Sequence, residues 1–87
     1  MIHQKVGIMA SSLHSREYQT VVELLRKVRK QKDLTQQQVA DRLGKPQSYV
    51  AKVEGGERRI DIVEFTHLAR AMECDPKKLF AEFLRGA

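Results

Sequence analysis

Apolar residues recur at helical spacing in five successive stretches of the chain, and no stretch alternates with the two-residue period of a strand. Tyr18, Val21, Val22, Leu25 and Val28 form the stripe of a first helix, which Ser15 can cap and which runs to about Lys32. Thr35 opens a second. Its side chain can cap the helix end while Gln38, three residues on, reaches back to it, and Val39, Ala40 and Leu43 then share one face. Gly44 can take the left-handed conformation that stops this helix, and the fixed φ of Pro46 presets the start of the next. The third helix turns Val50 and Val53 inward and leaves Gln47, Ser48, Ala51 and Lys52 on faces that the core does not claim. Gly55-Gly56 ends it, and Glu57-Arg58-Arg59 follows in a loop. Asp61 and Glu64 make a second possible capping box, ahead of Ile62, Phe65, Leu68, Ala69 and Met72 in a fourth helix. Asp75-Pro76 supplies a cap and a first-turn proline for a fifth, whose Leu79, Phe80, Phe83 and Leu84 either complete the core or face a second subunit. The pattern predicts an all-α, compact five-helix bundle over residues 15–87. Met1 to His14 lack sustained periodicity and read as a flexible extension or short arm.

A chain of 87 residues holds one domain and buries roughly 60% or slightly more of the surface its unfolded form exposes. The single Cys74 excludes an internal disulfide, and His3, His14 and His67 are too scattered to suggest a metal site, so neither metal nor cofactor is expected. No apolar run approaches the roughly 20 residues of a membrane span, and the N-terminal MIHQKVGIMASSL lacks the apolar core of a secretory signal. A reduced, cytoplasmic setting is the natural expectation. Net charge is +5, and its distribution tells more than its size: Arg16 to Arg59 hold 11 basic and 6 acidic residues, against 4 and 5 from Ile60 onward. A polyanionic partner would meet the first of these segments. The face carrying Arg26, Lys27 and Lys30 reads equally as solvated surface or as a phosphate contact. His67 falls off its helix's apolar stripe and is read as facing solvent or a subunit, and Cys74 as buried filler. No nucleophile, base and orienting group can be assembled, nor a paired-carboxylate site, so an enzyme is not expected.

Two short helices joined by so tight a turn, with an uncommitted polar face on the second, have the plan of a DNA-reading helix-turn-helix over about Thr35–Glu54. The string RKQKDLTQQQVADRLGKPQSYVAKVEGGERR, followed by FTHLARAMECDP, resembles the phage repressor and Cro-like helix-turn-helix family, also called the xenobiotic-response-element-like (XRE) family. The resemblance spans Val22 to Leu79, about two thirds of the chain. It implies a lambda-repressor-like fold in which Gln47 and Ser48, at the start of the second motif helix, enter the major groove, with Lys52 one turn on as the third residue facing base edges. A glutamine can pair bidentately with adenine, and a lysine favours the acceptor edge of guanine. Gln36, at a helix N-terminus that favours phosphate, and Arg58 and Arg59, in the following loop, are implied backbone contacts. Tyr49 is either at the rim, with its hydroxyl on a phosphate, or partly packed. The resemblance also pairs Arg29 with Glu54 in a structural ion pair that fixes the angle of the recognition helix, without a part in reading bases.

Several positions depart from the family pattern. Asp33 and Glu73 stand where glycine often closes a helix, which predicts strained turns there. Lys45 replaces an apolar turn residue and adds charge beside the groove, as a further backbone contact. Pro46 takes the place of a capping Ser or Thr. The function implied is a transcriptional regulator, a repressor or activator of the Cro/C1 type, that binds double-stranded DNA as a homodimer on a palindromic operator. Phe80, Phe83 and Leu84 are its candidate dimer contacts. Alternatives are an antitoxin or a restriction-modification controller, or a module that docks on a protein such as RNA polymerase or a toxin without reading bases.

Overall fold

The computed structural model describes residues 15–86. The expected arm, Met1 to His14, lies outside the described residues. Five helices and no strand make up the described part: α1 (Arg16–Gln31), α2 (Gln36–Leu43), α3 (Gln47–Glu54), α4 (Ile62–Ala71) and α5 (Pro76–Leu84). None is long and apolar enough to cross a membrane.

Local chemistry sets each start. Ser15 accepts the Tyr18 amide at 3.0 Å, and Thr35 with Gln38 and Asp61 with Glu64 form reciprocal capping boxes at α2 and α4. Asp75 accepts the Lys77 amide with Pro76 in the first turn of α5. Pro46 is the residue before α3 rather than its first residue, and with no side-chain acceptor there α3 begins without a side-chain cap bond.

The ends of α1 to α4 share one device. After each helix a residue turns left-handed and the amide that follows bonds back five residues: Leu34 to Arg29, Lys45 to Ala40, Glu57 to Lys52 and Cys74 to Ala69. Gly44 and Gly56 adopt this conformation freely at φ +68° and +76°, whereas Asp33 and Glu73 are held in it at +57° and +59°. The return bonds, together with the partial burial of Leu34 and Cys74 against the core, impose the turn on residues that do not favour it.

The core is built from Leu24, Leu25, Val28, Val39, Val50, Val53, Phe65, Leu68, Met72 and Leu79. Leu24 lies outside the stripe expected for α1. It is buried because α1 packs against α5 as well as α3, so two sides of the helix are covered. Ile62 departs in the other direction: expected in the stripe of α4, it is 66% exposed, standing at the first helical position before the helix reaches the core. Val21 and Leu43 are half-buried at the core margin, and Cys74 is half-buried rather than enclosed.

Relieving one of the left-handed residues is expected to stabilise the fold. Asp33→Gly should raise the unfolding free energy by about 0.5–1 kcal/mol, the cost of a left-handed side chain less the added freedom of glycine in the unfolded chain. Urea denaturation measures this, and an unchanged or lowered midpoint would show that Asp33 sits there without strain.

Candidate nucleic-acid interface

Helix α3 divides sharply between an inward and an outward face. Tyr49, Val50, Val53 and Glu54 are buried, while Gln47, Ser48 and Lys52 are exposed and Ala51 is half-buried. The three-residue connection Gly44-Lys45-Pro46 brings α3 back across α2, so the exposed face stands beside the N-terminal end of α2 where Gln36 lies.

A chain of hydrogen bonds runs from the interior to that face. The guanidinium of Arg29 donates to both carboxylate oxygens of Glu54, from Nε to Oε2 at 2.6 Å and from Nη2 to Oε1 at 2.9 Å. The two side chains are 11% and 6% exposed, so this is a buried, bidentate pair. Arg29 Nη1 also donates to the Leu34 carbonyl at 2.8 Å, and Arg26 Nη2 donates to the Glu54 carbonyl at 3.0 Å. Glu54 Oε1 accepts in addition from Gln36 Nε2 at 3.0 Å. Gln36 Oε1 in turn accepts from Gln47 Nε2 at 2.6 Å. The family resemblance implies the pairing of Arg29 with Glu54 but not the two glutamine links, because residues 36, 47 and 54 meet only once the turn is folded.

Five cationic or aromatic side chains frame the other end. Lys45 Nζ lies 5.3 Å and the Arg58 guanidinium 5.0 Å from the centre of the Tyr49 ring. Tyr49 is 9% exposed, the packed one of its two sequence readings. Burial, and after it the negative charge of Glu64, raise its hydroxyl above the ordinary tyrosine range, against a smaller opposing effect of Arg58. Arg58 is also bound within the molecule, Nη2 to Glu64 Oε2 at 2.5 Å. Arg59 stacks on Tyr18, 4.9 Å from its centre.

Tyr18 has a role that its place in an apolar stripe conceals. Its hydroxyl accepts from the Ile60 amide at 3.0 Å and donates to the Arg58 carbonyl at 3.3 Å, tying the loop after α3 to α1 while the ring carries Arg59. The only sequence signal was a tyrosine where a phenylalanine would pack equally well.

The remaining candidates lie elsewhere. Phe80 and Leu84 are 43% and 68% exposed and Phe83 is half-buried. Phe80 meets Phe65 edge-on at 6.4 Å and lies 5.9 Å from Phe83. Together with Ile62, Tyr18 and Val21 they line a shallow apolar cleft of about 190 Å³. His67 is exposed in an open basin with Arg42, Arg70 and Glu73. Among the described residues no three His, Cys, Asp or Glu side chains form a group able to hold a metal ion.

A short capped helix, a three-residue turn and a second short helix with an exposed polar face define a helix-turn-helix domain. A helix-turn-helix family model matches residues 25–79, and the chain belongs to that family, in its Cro/C1-type form. It is similar to an XRE-family-like protein from Pseudomonas syringae pv. tomato str. DC3000, at 36% identity over 88% of this chain and 94% of that one, with a TM-score of 0.80. It is similar also to the restriction-modification controller protein C.AhdI from Aeromonas hydrophila, at 32% identity over 75% and 98% of the two chains and a TM-score of 0.67. The controller protein C.Esp1396I, solved as a tetramer with its natural 35 base-pair operator, shares the fold at 19% identity, covering 84% and 96%, with a TM-score of 0.77. No curated protein matches this chain.

Removing one member of the buried pair leaves a charge without its counter-ion. Glu54→Ala is expected to lose about 3–5 kcal/mol of stability, read as a lowered urea midpoint. An unchanged midpoint would mean that the pair does not hold α3 to α1.

Proposed function

We propose that this protein is a sequence-specific transcriptional regulator that sets α3 in the major groove of double-stranded DNA. The observation that carries the reading is the division of α3, whose buried face fixes the helix while Gln47, Ser48 and Lys52 project from the other. In this reading Gln47 and Ser48, at the leading end, and Lys52, one turn on, meet base edges. The N-terminus of α2 at Gln36 and the cations Lys45 and Arg59 meet the phosphate backbone. Arg58, already matched by Glu64, contributes to that contact only by sharing its charge, and the packed Tyr49 serves chiefly as the platform for Lys45 and Arg58.

The regulator acts as a homodimer that joins two copies through the exposed Phe80 and Leu84 with Phe83 beneath them. Two copies related by a two-fold axis would read half-sites about 34–36 Å apart on a palindromic operator. Membership of the restriction-modification controllers is the second reading, favoured by the 32% identity to C.AhdI.

Sequence selection from a random duplex pool tests the proposal, with enrichment of one palindromic consensus as the expected result. At that consensus Lys52→Ala should weaken binding by about 1–3 kcal/mol and relax one position. Equal loss on every sequence would make Lys52 a phosphate contact, and absence of any consensus would remove base reading altogether. Leu84→Asp, at a position exposed in the single chain, should leave helix content intact and shift sedimentation at micromolar concentration from dimer to monomer. A wild-type chain that sediments only as monomer rejects the dimer.

A further inference from the structure

We infer that Tyr18 is a positioning residue for DNA binding, whose hydroxyl aims Arg59 at a backbone phosphate; the inference rests on the reading of Arg59 as a phosphate contact. The geometry singles out the two peptide units on either side of Arg59. The Tyr18 hydroxyl donates to the Arg58 carbonyl at 3.3 Å and accepts from the Ile60 amide at 3.0 Å. The first group belongs to the peptide before Arg59 and the second to the peptide after it, so one hydroxyl restrains both backbone dihedrals of that residue. The direction in which the arginine side chain leaves the loop is thereby set. The ring of the same tyrosine then supports its guanidinium, 4.9 Å from the ring centre.

The other restraints on the loop act on either side of this point. Upstream, the Glu57 and Arg58 amides bond back to the Lys52 carbonyl at 2.9 and 3.1 Å. Downstream, Asp61 opens the capping box of α4. Arg59 and Ile60 lie between, and the tether from α1 spans that gap. Of the two neighbouring arginines, Arg58 is engaged by Glu64, whereas among the described residues no carboxylate pairs with Arg59. Arg59 is also exposed, so its charge is available to an anion. A long side chain that must be ordered on binding costs affinity, and one already directed by its backbone and by a ring beneath it spares part of that cost. Tyr18 itself is buried, so it acts on DNA through Arg59 and makes no phosphate contact of its own.

Tyr18→Phe isolates the hydroxyl, since a ring remains to carry Arg59. Affinity for the duplex selected from the random pool is measured over a range of salt for wild type, Tyr18→Phe, Arg59→Ala and the double variant. Arg59→Ala should flatten the fall of log K with log salt by about 0.9, the loss of one phosphate contact. Tyr18→Phe should weaken binding about 2- to 12-fold, the ordering cost of one long side chain, and by the same factor on the selected duplex and on its single-base variants. In the Arg59→Ala background the same change should leave affinity unchanged. A loss of equal size in both backgrounds would make Tyr18 a structural contact only, and overturns the inference alone; so does a folded Tyr18→Phe that binds like wild type. An Arg59→Ala variant with wild-type affinity and slope, or a wild type that binds no duplex, overturns it together with the phosphate reading. Should Tyr18→Phe fail to fold, nuclear relaxation of the arginine Nε groups in the DNA-free wild type carries the test. Restricted motion at Arg59 is the expected result, and motion as free as in an unstructured chain overturns the inference.

Discussion

The buried contact between Arg29 and Glu54 is the constraint on which the rest of the surface depends. Arg29 belongs to α1 and Glu54 to the last turn of α3, so the pair pins the far end of α3 to the longest of the described helices. The same guanidinium closes the turn between α1 and α2 through the Leu34 carbonyl. One side chain thereby sets the relative placing of three helices. A hydrophobic contact of similar size would hold α3 close but would allow it to slide and roll, whereas a two-point charged hydrogen bond fixes both distance and angle.

A second restraint holds the loop behind α3. Tyr18 binds the Arg58 carbonyl and the Ile60 amide, and the rings of Tyr18 and Tyr49 carry Arg59, Arg58 and Lys45. Long basic side chains ordinarily lose much rotamer freedom when they bind an anion. Laid across aromatic faces, these have given up part of it already. The guanidinium of Arg58 is further restrained by Glu64, which also completes the capping box of α4. The cations are thus coupled to the start of the helix that follows.

Most of the fold was legible because it is written in local signals. Thr35 with Gln38, Asp61 with Glu64, Gly44 and Asp75-Pro76 each fix a helix boundary within a few residues of chain, and the resemblance located α3 and its outward residues. The strained left-handed turns at Asp33 and Glu73 were also readable, as departures from an otherwise matching pattern. What could not be read depends on contacts distant in sequence. Leu24 is buried only because α5 returns to cover a second side of α1, and Ile62 is exposed because the core ends before the first turn of α4. The links from Glu54 to Gln36 and on to Gln47, like the loop held by Tyr18, join residues 11 to 42 positions apart. Their spacing carries no periodic signature, and no single residue among them is unusual where it stands.

Helices α2 and α3 have eight residues each. An isolated helix of that length is barely populated in water, since too few bonds follow its costly nucleation. The outward face of α3 is therefore a property of the whole domain and of no excised piece of it. Any event that opens the core, whether heat, a cavity or proteolysis of a remote helix, abolishes the surface outright instead of grading it.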